Sequence, residues 1–363
     1  MFQNDKIFYT STNLPPIGSR IARHFLKFLK TKRLKIFLYV IYVILFIYIY
    51  SWIISPLLIL SSYLGNMNKF SGLAEYRWMF YKNSTVQYQF LHLPKGIQCA
   101  QSETVLVAIV LSMASNVEIR KKIRQTWASR SRSDSINKLE IKVYFLISQP
   151  NDDNLIGIIQ EMDLFNDIII TDLEENYWNL HHKVYAGMDF FLTWCQNAKY
   201  YLKIDDDVII NPDRMMYYLR NDSSHWANKS ATGKLWIDSI PKRSKDSKWY
   251  IPYSVWSRET YPTYCNGPIY LLSREALGAI IKNTANFNEF QFEDLFYTGM
   301  VAESAGVKLY DWGDHIIPYE WEFKPETSKC DENEIPLIFA AHSYRTPQQI
   351  DEWLKILNNL KCH

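Results

Sequence analysis

From Ile36 to Asn68 the chain carries no charged side chain, and its apolar part, Ile36–Leu60, exceeds the about 20 residues a helix needs to cross a bilayer. In hydrocarbon a lone segment can satisfy its backbone only as a helix, so this feature divides the chain before anything else is read. Eight Lys or Arg precede it (Lys6, Arg20, Arg23, Lys27, Lys30, Lys32, Arg33, Lys35) against one acid, Asp5. Positive flanks stay cytosolic, which predicts a cytoplasmic tail over 1–35, a transmembrane signal anchor over 36–60 and a lumenal remainder. Pro56 is expected to bend or end the helix. A cleavable signal is the competing reading, but it would have a shorter apolar region and rarely so long a charged lead.

The rest of the chain agrees with a type II, single-pass topology. Three Asn-x-Ser/Thr glycosylation acceptors, Asn83, Asn221 and Asn228, follow the anchor. So do all five cysteines, for which an oxidising lumen predicts disulfides with at least one thiol left over. A net charge of +2 provides no global field for nucleic acid. Residues 61–98, with sparse charges and a Pro-Lys-Gly break at 94–96, read as a stem, and the globular domain is expected over 99–363.

Within that domain Thr104–Leu111 is a near-continuous β-branched run, as a parallel strand buried on both faces requires; Lys142–Ser148 and Asp167–Leu173 repeat it. Helical segments fall between, at Val117–Ser129 and Leu155–Leu164, so βαβ units and a mostly parallel sheet are expected. A longer helix over Trp178–Gln196 carries one apolar stripe (Leu180, Val184, Met188, Phe191, Cys195). Asn221–Ser257 reads as a long polar loop, Ile269–Leu272 as a strand, and Arg274–Lys282 and Trp353–Leu360 as helices.

The chemistry starts at Lys199–Asn211, where an apolar strand ends in Asp205, Asp206 and Asp207 and then resumes. Alternation points Asp205 and Asp207 one way and Asp206 the other. Carboxylates converging at a strand's C-terminal end suit a hard divalent cation, although an isolated Asp-x-Asp is more often a solvated turn. Glu293-Asp294 opens a predicted helix, where acids either complement its dipole or act as a positioned base. His342 ends an apolar run and, paired with Asp207, would shift the preferred ion from Mg²⁺ towards Mn²⁺. Arg120 and Arg124, four apart, share one helix side near the first strand, where a diphosphate could sit. Adjacent His181 and His182 are expected to diverge, which argues against joint metal binding. Gly-x-Gly-x-x-Gly, P-loop, Cys-x-x-Cys, His-Glu-x-x-His and Gly-x-Ser-x-Gly patterns are absent from the sequence.

Taken in order, the motifs resemble the β-1,3-galactosyltransferase / β-1,3-N-acetylglucosaminyltransferase family (glycosyltransferase family 31). Arg120-x-x-Ile123-Arg124-x-Thr126-Trp127, Asp172…Tyr177-x-Asn179-Leu180-x-x-Lys183, Lys203-Ile-Asp205-Asp206-Asp207, Lys248-Trp249-Tyr250, Tyr261-Pro262…Cys265-Asn-Gly267, Glu293-Asp294 and His342 carry the likeness over about residues 104–361. The resemblance implies an α/β, GT-A fold, Rossmann-like with a mostly parallel sheet flanked by helices, in a Golgi type II membrane protein. It implies an inverting, Mn²⁺-dependent hexosyltransferase moving galactose or N-acetylhexosamine from a UDP-sugar to an acceptor glycan, and it allows a homodimer. Asp207 and His342 would hold the metal. Arg120, Arg124, Lys183, Asp205 and Asp206 would serve the UDP-sugar, and Asp294, with Glu293 second, would be the base. Cys195 and Cys265 sit where family members often have cysteines and are the candidate disulfide.

Two departures touch motifs that could shape the sugar pocket: Gly267-Pro268-Ile269-Tyr270 replaces Gly-x-Gly-Tyr, and His181-His182 replaces a Thr-containing pair. Donor and acceptor are therefore left open. A retaining glycoside hydrolase and a non-catalytic chaperone or lectin-like relative are the rival readings.

Overall fold

The computed structural model describes residues 32–55, 57, 75–97, 99, 104–221, 228–317, 327–342 and 344–362. Pro56 and the tail before Lys32 lie outside them. The chain divides into two compact units, Met1–Asn66 and Met67–His363. In the first, helix α1 (Lys32–Ile49) continues as a π-helical turn through Ile54. Lys35–Ile54, with a mean hydropathy of 2.3, is long and apolar enough to cross a membrane.

The second unit begins with strands β1 (Arg77–Phe80), β2 (Thr85–Tyr88) and β3 (Phe90–His92). Then come β4 (Leu106–Leu111), α2 (Val117–Gln125), β5 (Ile141–Ile147), α3 (Asp152–Phe165) and β6 (Ile168–Thr171). Next are α4 (Leu180–Trp194), β7 (Tyr200–Asp205), β8 (Val208–Ile210), α5 (Pro212–Asn221) and β9 (Ser230–Trp236). The chain continues through β10 (Tyr264–Ser273), α6 (Arg274–Asn283), a π-helical turn at Leu295–Val301, β11 (Lys308–Asp311) and β12 (Ile316–Ile317). It closes with β13 (Thr327–Ser328), β14 (Ala340–His342), α7 (Pro347–Asn358) and β15 (Lys361–Cys362).

Eight strands form the main sheet in the order β11-β9-β10-β7-β4-β5-β6-β3. Its centre, β7-β4-β5-β6, is parallel, and β10 joins β7 antiparallel. β4 is buried at all six positions because helices cover both faces. Val107, Ile109 and Leu111 meet the α4 and α6 side, with Val184, Met188 and Ile280. Leu106, Ala108 and Val110 meet Ile123, Met215 and Leu354 from α2, α5 and α7. The chain runs outward from β4 through β5 to β6, then returns through α4 to lay β7 on β4's other side. That reversal makes a crevice beyond the carboxyl ends of β4 and β7.

Three expectations change. The stem reading fails over 77–92, where Met79, Tyr88 and Phe90 are buried in the main core and β3 pairs with β6. These strands are too short to announce themselves by alternation. Ser230–Trp236, read as loop, is a sheet strand paired to both β10 and β11. The last helix starts earlier than expected, at Pro347, because Thr346 and Gln349 form a capping box.

The Cys195–Cys265 pairing is also corrected. Cys195, at the C-cap of α4, bonds Cys99, and Cys330 bonds Cys362. Cys265 is a free, buried thiol inside the β9–β10 pairing, where Gly233 leaves no room for a β-carbon against it.

Candidate functional site

The crevice beyond β7 is a cavity of about 1040 Å³ whose lining includes Asp205, Asp207, Asp294 and His342. That is ample for a nucleotide with a sugar attached. The floor is set by β7. Asp205 and Asp207 line the cavity, while Asp206 faces away and accepts hydrogen bonds from Ser112 Oγ (2.6 Å) and Asn116 Nδ2 (2.9 Å). Burial raises the Asp206 pKa and these donors oppose the rise.

Ser112 is in turn braced. Arg120 Nη1 donates to its hydroxyl (3.0 Å) and Lys183 Nζ to its carbonyl (2.7 Å). Arg120, wholly buried, forks onto Glu161 at 3.0 and 2.6 Å. Arg124 reaches the same Glu161 at 2.7 Å and Asp167 twice at 2.8 Å. Lys183 also pairs with Glu175 at 2.7 Å. None of the three cations lines the cavity. The structure therefore moves Arg120, Arg124 and Lys183 from contact with a donor nucleotide to support of the β4–α2 turn behind Asp206.

Lys203 fills the position the sequence motif left without a role. Fully buried on β7, its ammonium donates to Asp205 (2.6 Å) and the Gly267 carbonyl (2.6 Å) and lies 3.1 Å from Glu293. The signal was available: a lysine inside Tyr-Tyr-Leu-Lys-Ile can be buried only if acids meet it. Burial pushes Asp205 up to about 6, with Lys203 pulling against it and Asp207 adding to the rise. Burial likewise pushes Glu293 up to about 7 against the same cation. Despite burial, the two acids keep Lys203 charged. Glu293's other oxygen accepts from Tyr270 (2.8 Å), so the residue is anchored through both oxygens.

His342 comes to Asp207 by strand pairing. β14 runs antiparallel to β8 with His342 opposite Val208, and Tyr344 N–H donates to the Asp207 carbonyl at 3.0 Å. His342 Nε2 then lies 3.4 Å from Asp207 Oδ1, a buried oxygen without a hydrogen-bond donor among the described residues. Arg345 approaches the other oxygen at 3.7 Å from an exposed position. Burial opposes the Asp207 charge, but His342 and Arg345 together hold its pKa below the ordinary value. Adjacent ligands of an octahedral ion at about 2.1 Å are roughly 3 Å apart, so this oxygen and nitrogen fit a divalent cation. Asp205, the neighbouring carboxylate on the cavity lining, is already tied to Lys203, which leaves Asp207 and His342 as the pair open to such an ion.

Asp294 caps the π-helical turn through its own Oδ1, which accepts Leu295 N–H at 2.8 Å. Oδ2 rests against a three-residue bulge in β10. The register to β9 slips between Cys265 and Tyr270, pushing Asn266, Gly267 and Pro268 into the cavity wall. Ile269, which stands where Gly-x-Gly has its second glycine, is buried in the core and pairs with Ile204, while Pro268 before it sits where the ladder to β9 is already broken and its missing N–H costs little. A β-carbon on Gly267 would lie 3.0 Å from Asp294 Oδ2. Gly267→Ala is accordingly expected to displace Asp294 by tenths of an ångström and lower kcat by about tenfold, with KM and thermal midpoint little changed. A kcat equal to that of the parent chain would show that Asp294 tolerates the shift.

Outside the cavity, His181 and His182 do not diverge as expected. Both imidazoles lean onto Glu289, at 3.2 and 2.7 Å. Asn83, Asn221 and Asn228, which begin the three Asn-x-Ser/Thr tripeptides, are all exposed.

The family described as Galactosyltransferase matches residues 118–312. Human UDP-GalNAc:beta-1,3-N-acetylgalactosaminyltransferase 1 is 28% identical over 293 residues, 79% of this chain and 85% of that protein. Caenorhabditis elegans beta-1,3-galactosyltransferase bre-2 is 26% identical over 281 residues, covering 76% and 75% of the two chains. Mouse beta-1,3-galactosyltransferase 1 is 30% identical over 211 residues, covering 58% and 63%.

Proposed function

Because the chain belongs to the galactosyltransferase family, and is a glycosyltransferase, we propose that it moves galactose or an N-acetylhexosamine from a UDP-sugar to O3 of an acceptor glycan, with inversion. The observation that carries this reading is the convergence of Asp207, His342 and Asp294 on one cavity at the end of β7. The names of the relatives favour a β-1,3 linkage and differ in the sugar, so the donor is taken as galactose or N-acetylgalactosamine ahead of N-acetylglucosamine.

Asp207 and His342 would hold Mn²⁺, which when bound supplies positive charge to the diphosphate leaving group. Asp205, kept in place by Lys203, orients the ribose end of the donor, and Asp206 fixes the turn from behind. Asp294 takes the proton of the attacking acceptor hydroxyl. The acceptor oxygen forms its bond to the anomeric carbon as the bond to the diphosphate oxygen breaks, and UDP leaves with that electron pair. Attack opposite the leaving group inverts the anomeric centre. Glu293, tied to Lys203 and Tyr270, holds the floor and is not free to serve as base.

The apolar helix, the basic segment before it, the two disulfides and the three exposed sequons support a single-pass Golgi anchor with the catalytic unit in the lumen. The deciding experiment is a panel of UDP-galactose, UDP-GalNAc and UDP-GlcNAc with Mn²⁺ and acceptor glycans, with product linkage read by NMR. A β-1,3 product from one donor is expected; hydrolysis of glycosides without nucleotide would overturn the reading. Asp207→Ala is expected to weaken Mn²⁺-dependent UDP binding by at least about tenfold, since even second-shell changes cost that much. Unchanged calorimetric affinity would remove Asp207 from the metal site.

A further inference from the structure

Two imidazoles and a carboxylate converge where three parts of the fold meet. His181 and His182 lie in the first turn of α4, Glu289 lies in the loop that runs into Glu293 and Asp294, and Ser84 comes from the turn between β1 and β2. The ligand-type atoms of the two histidines and Glu289 all lie within 4.8 Å of one another. The two rings stand 4.0 Å apart, and both Nε2 atoms face one oxygen, Glu289 Oε2. The other oxygen accepts the Ser84 hydroxyl, which fixes the carboxylate's aim. None of these residues lines the Asp207 cavity.

Helical phase alone separates neighbouring residues by about 100°, so this convergence requires both side chains to lean the same way. The His181 side chain is only 5% exposed and that of His182 12%, so both rings are held in this arrangement by the packing around them. The Glu289 side chain keeps 28% of its surface exposed, which gives an ion a way in.

We propose that His181, His182 and Glu289 form a second divalent-cation site, of the Zn²⁺ class, that pins the loop leading to Asp294 onto the start of α4 and the β1–β2 turn. Two nitrogens and one carboxylate oxygen match the three-ligand sets that hold Zn²⁺ with an open fourth position, whereas Mg²⁺ and Ca²⁺ select oxygen cages. Tetrahedral ligands at about 2.0–2.1 Å are roughly 3.3 Å apart, so the observed 3.2 and 2.7 Å need only a small opening of the cluster. The site shares no residue with the donor cavity and stands whether or not the proposed transfer reaction is correct.

The test uses the full chain in detergent, stripped by chelator, in an Asp207→Ala background that silences the other candidate site. Calorimetry with Zn²⁺ is expected to find one ion per chain at micromolar affinity or tighter, and Co²⁺ to give visible ligand-field absorption. His182→Gln and Glu289→Gln, with folding checked by circular dichroism, should lose both signals. If His182→Gln unfolds, Glu289→Gln decides alone, because it keeps the shape and an acceptor for Ser84. Absence of Zn²⁺ binding in the background chain, or its survival in the variants, would overturn the proposal and leave both histidines as hydrogen-bond donors to Glu289.

Discussion

Replacing Asp294 with Asn is expected to lower kcat by about 10²–10⁴-fold, the usual loss for a positioned base. UDP affinity should hardly move. The amide keeps an oxygen to accept Leu295 N–H and keeps its fit against Gly267, so the loss isolates proton acceptance. Burial raises the Asp294 pKa above the ordinary aspartate value, with the Leu295 N–H opposing. A base works ionised, so the rate should fall as pH drops through that raised pKa, and the acid limb should lie above the ordinary range. In Asp294→Asn the limb should vanish from whatever activity survives. A variant that keeps the parent rate and its pH profile would put the base elsewhere.

The second large effect is expected at Lys203. Lys203→Met removes the one cation between Asp205, Glu293 and the Gly267 carbonyl while keeping much of the aliphatic stem. Breaking a buried pair by deleting one partner costs about 3–5 kcal/mol, because the surviving charges stay buried without compensation. For a unit of this size the thermal midpoint should fall on the order of 10 °C. The deficit should also depend on pH in a definite direction. Without Lys203, the folded-state pKa values of Asp205 and Glu293 rise still further above their unfolded values. Stability is then retained below the unfolded values and lost as pH rises through the folded ones, so the variant should be most impaired at neutral and alkaline pH. A Lys203→Met chain as stable as the parent at neutral pH would show that the acids find another partner.

What the sequence disclosed, and what it withheld, follows from range. Thr104–Leu111 could be read as a central strand because burial on both faces forces a continuous apolar run, a purely local demand. The Asp205–Asp207 cluster stood out for the same reason, since charge does not interrupt a buried strand without cause. Arg120 and Arg124 were readable as cations beside the first strand and Lys183 through the family resemblance, but a cation facing a phosphate and one facing buried Glu161 or Glu175 look alike in sequence. Cysteine pairing depends on which chain ends meet, and Cys99 meets Cys195 only because the segment before β4 folds onto α4. The convergence of His181 and His182 is a matter of side-chain rotamers, which no periodicity records. Ile269 read as a lost close approach because the core position it fills beside β7, next to the bulge, exists only in the paired sheet.

Cys265 gives the molecule a clock. Its thiol is shielded between β9 and β10, and burial drives its pKa far up. A thiol in that state reacts with an alkylating reagent only during moments when the two strands part. The labelling rate therefore reports how often the sheet breathes beside Gly267, and ligands that fill the neighbouring hollow should slow it without ever touching the sulfur.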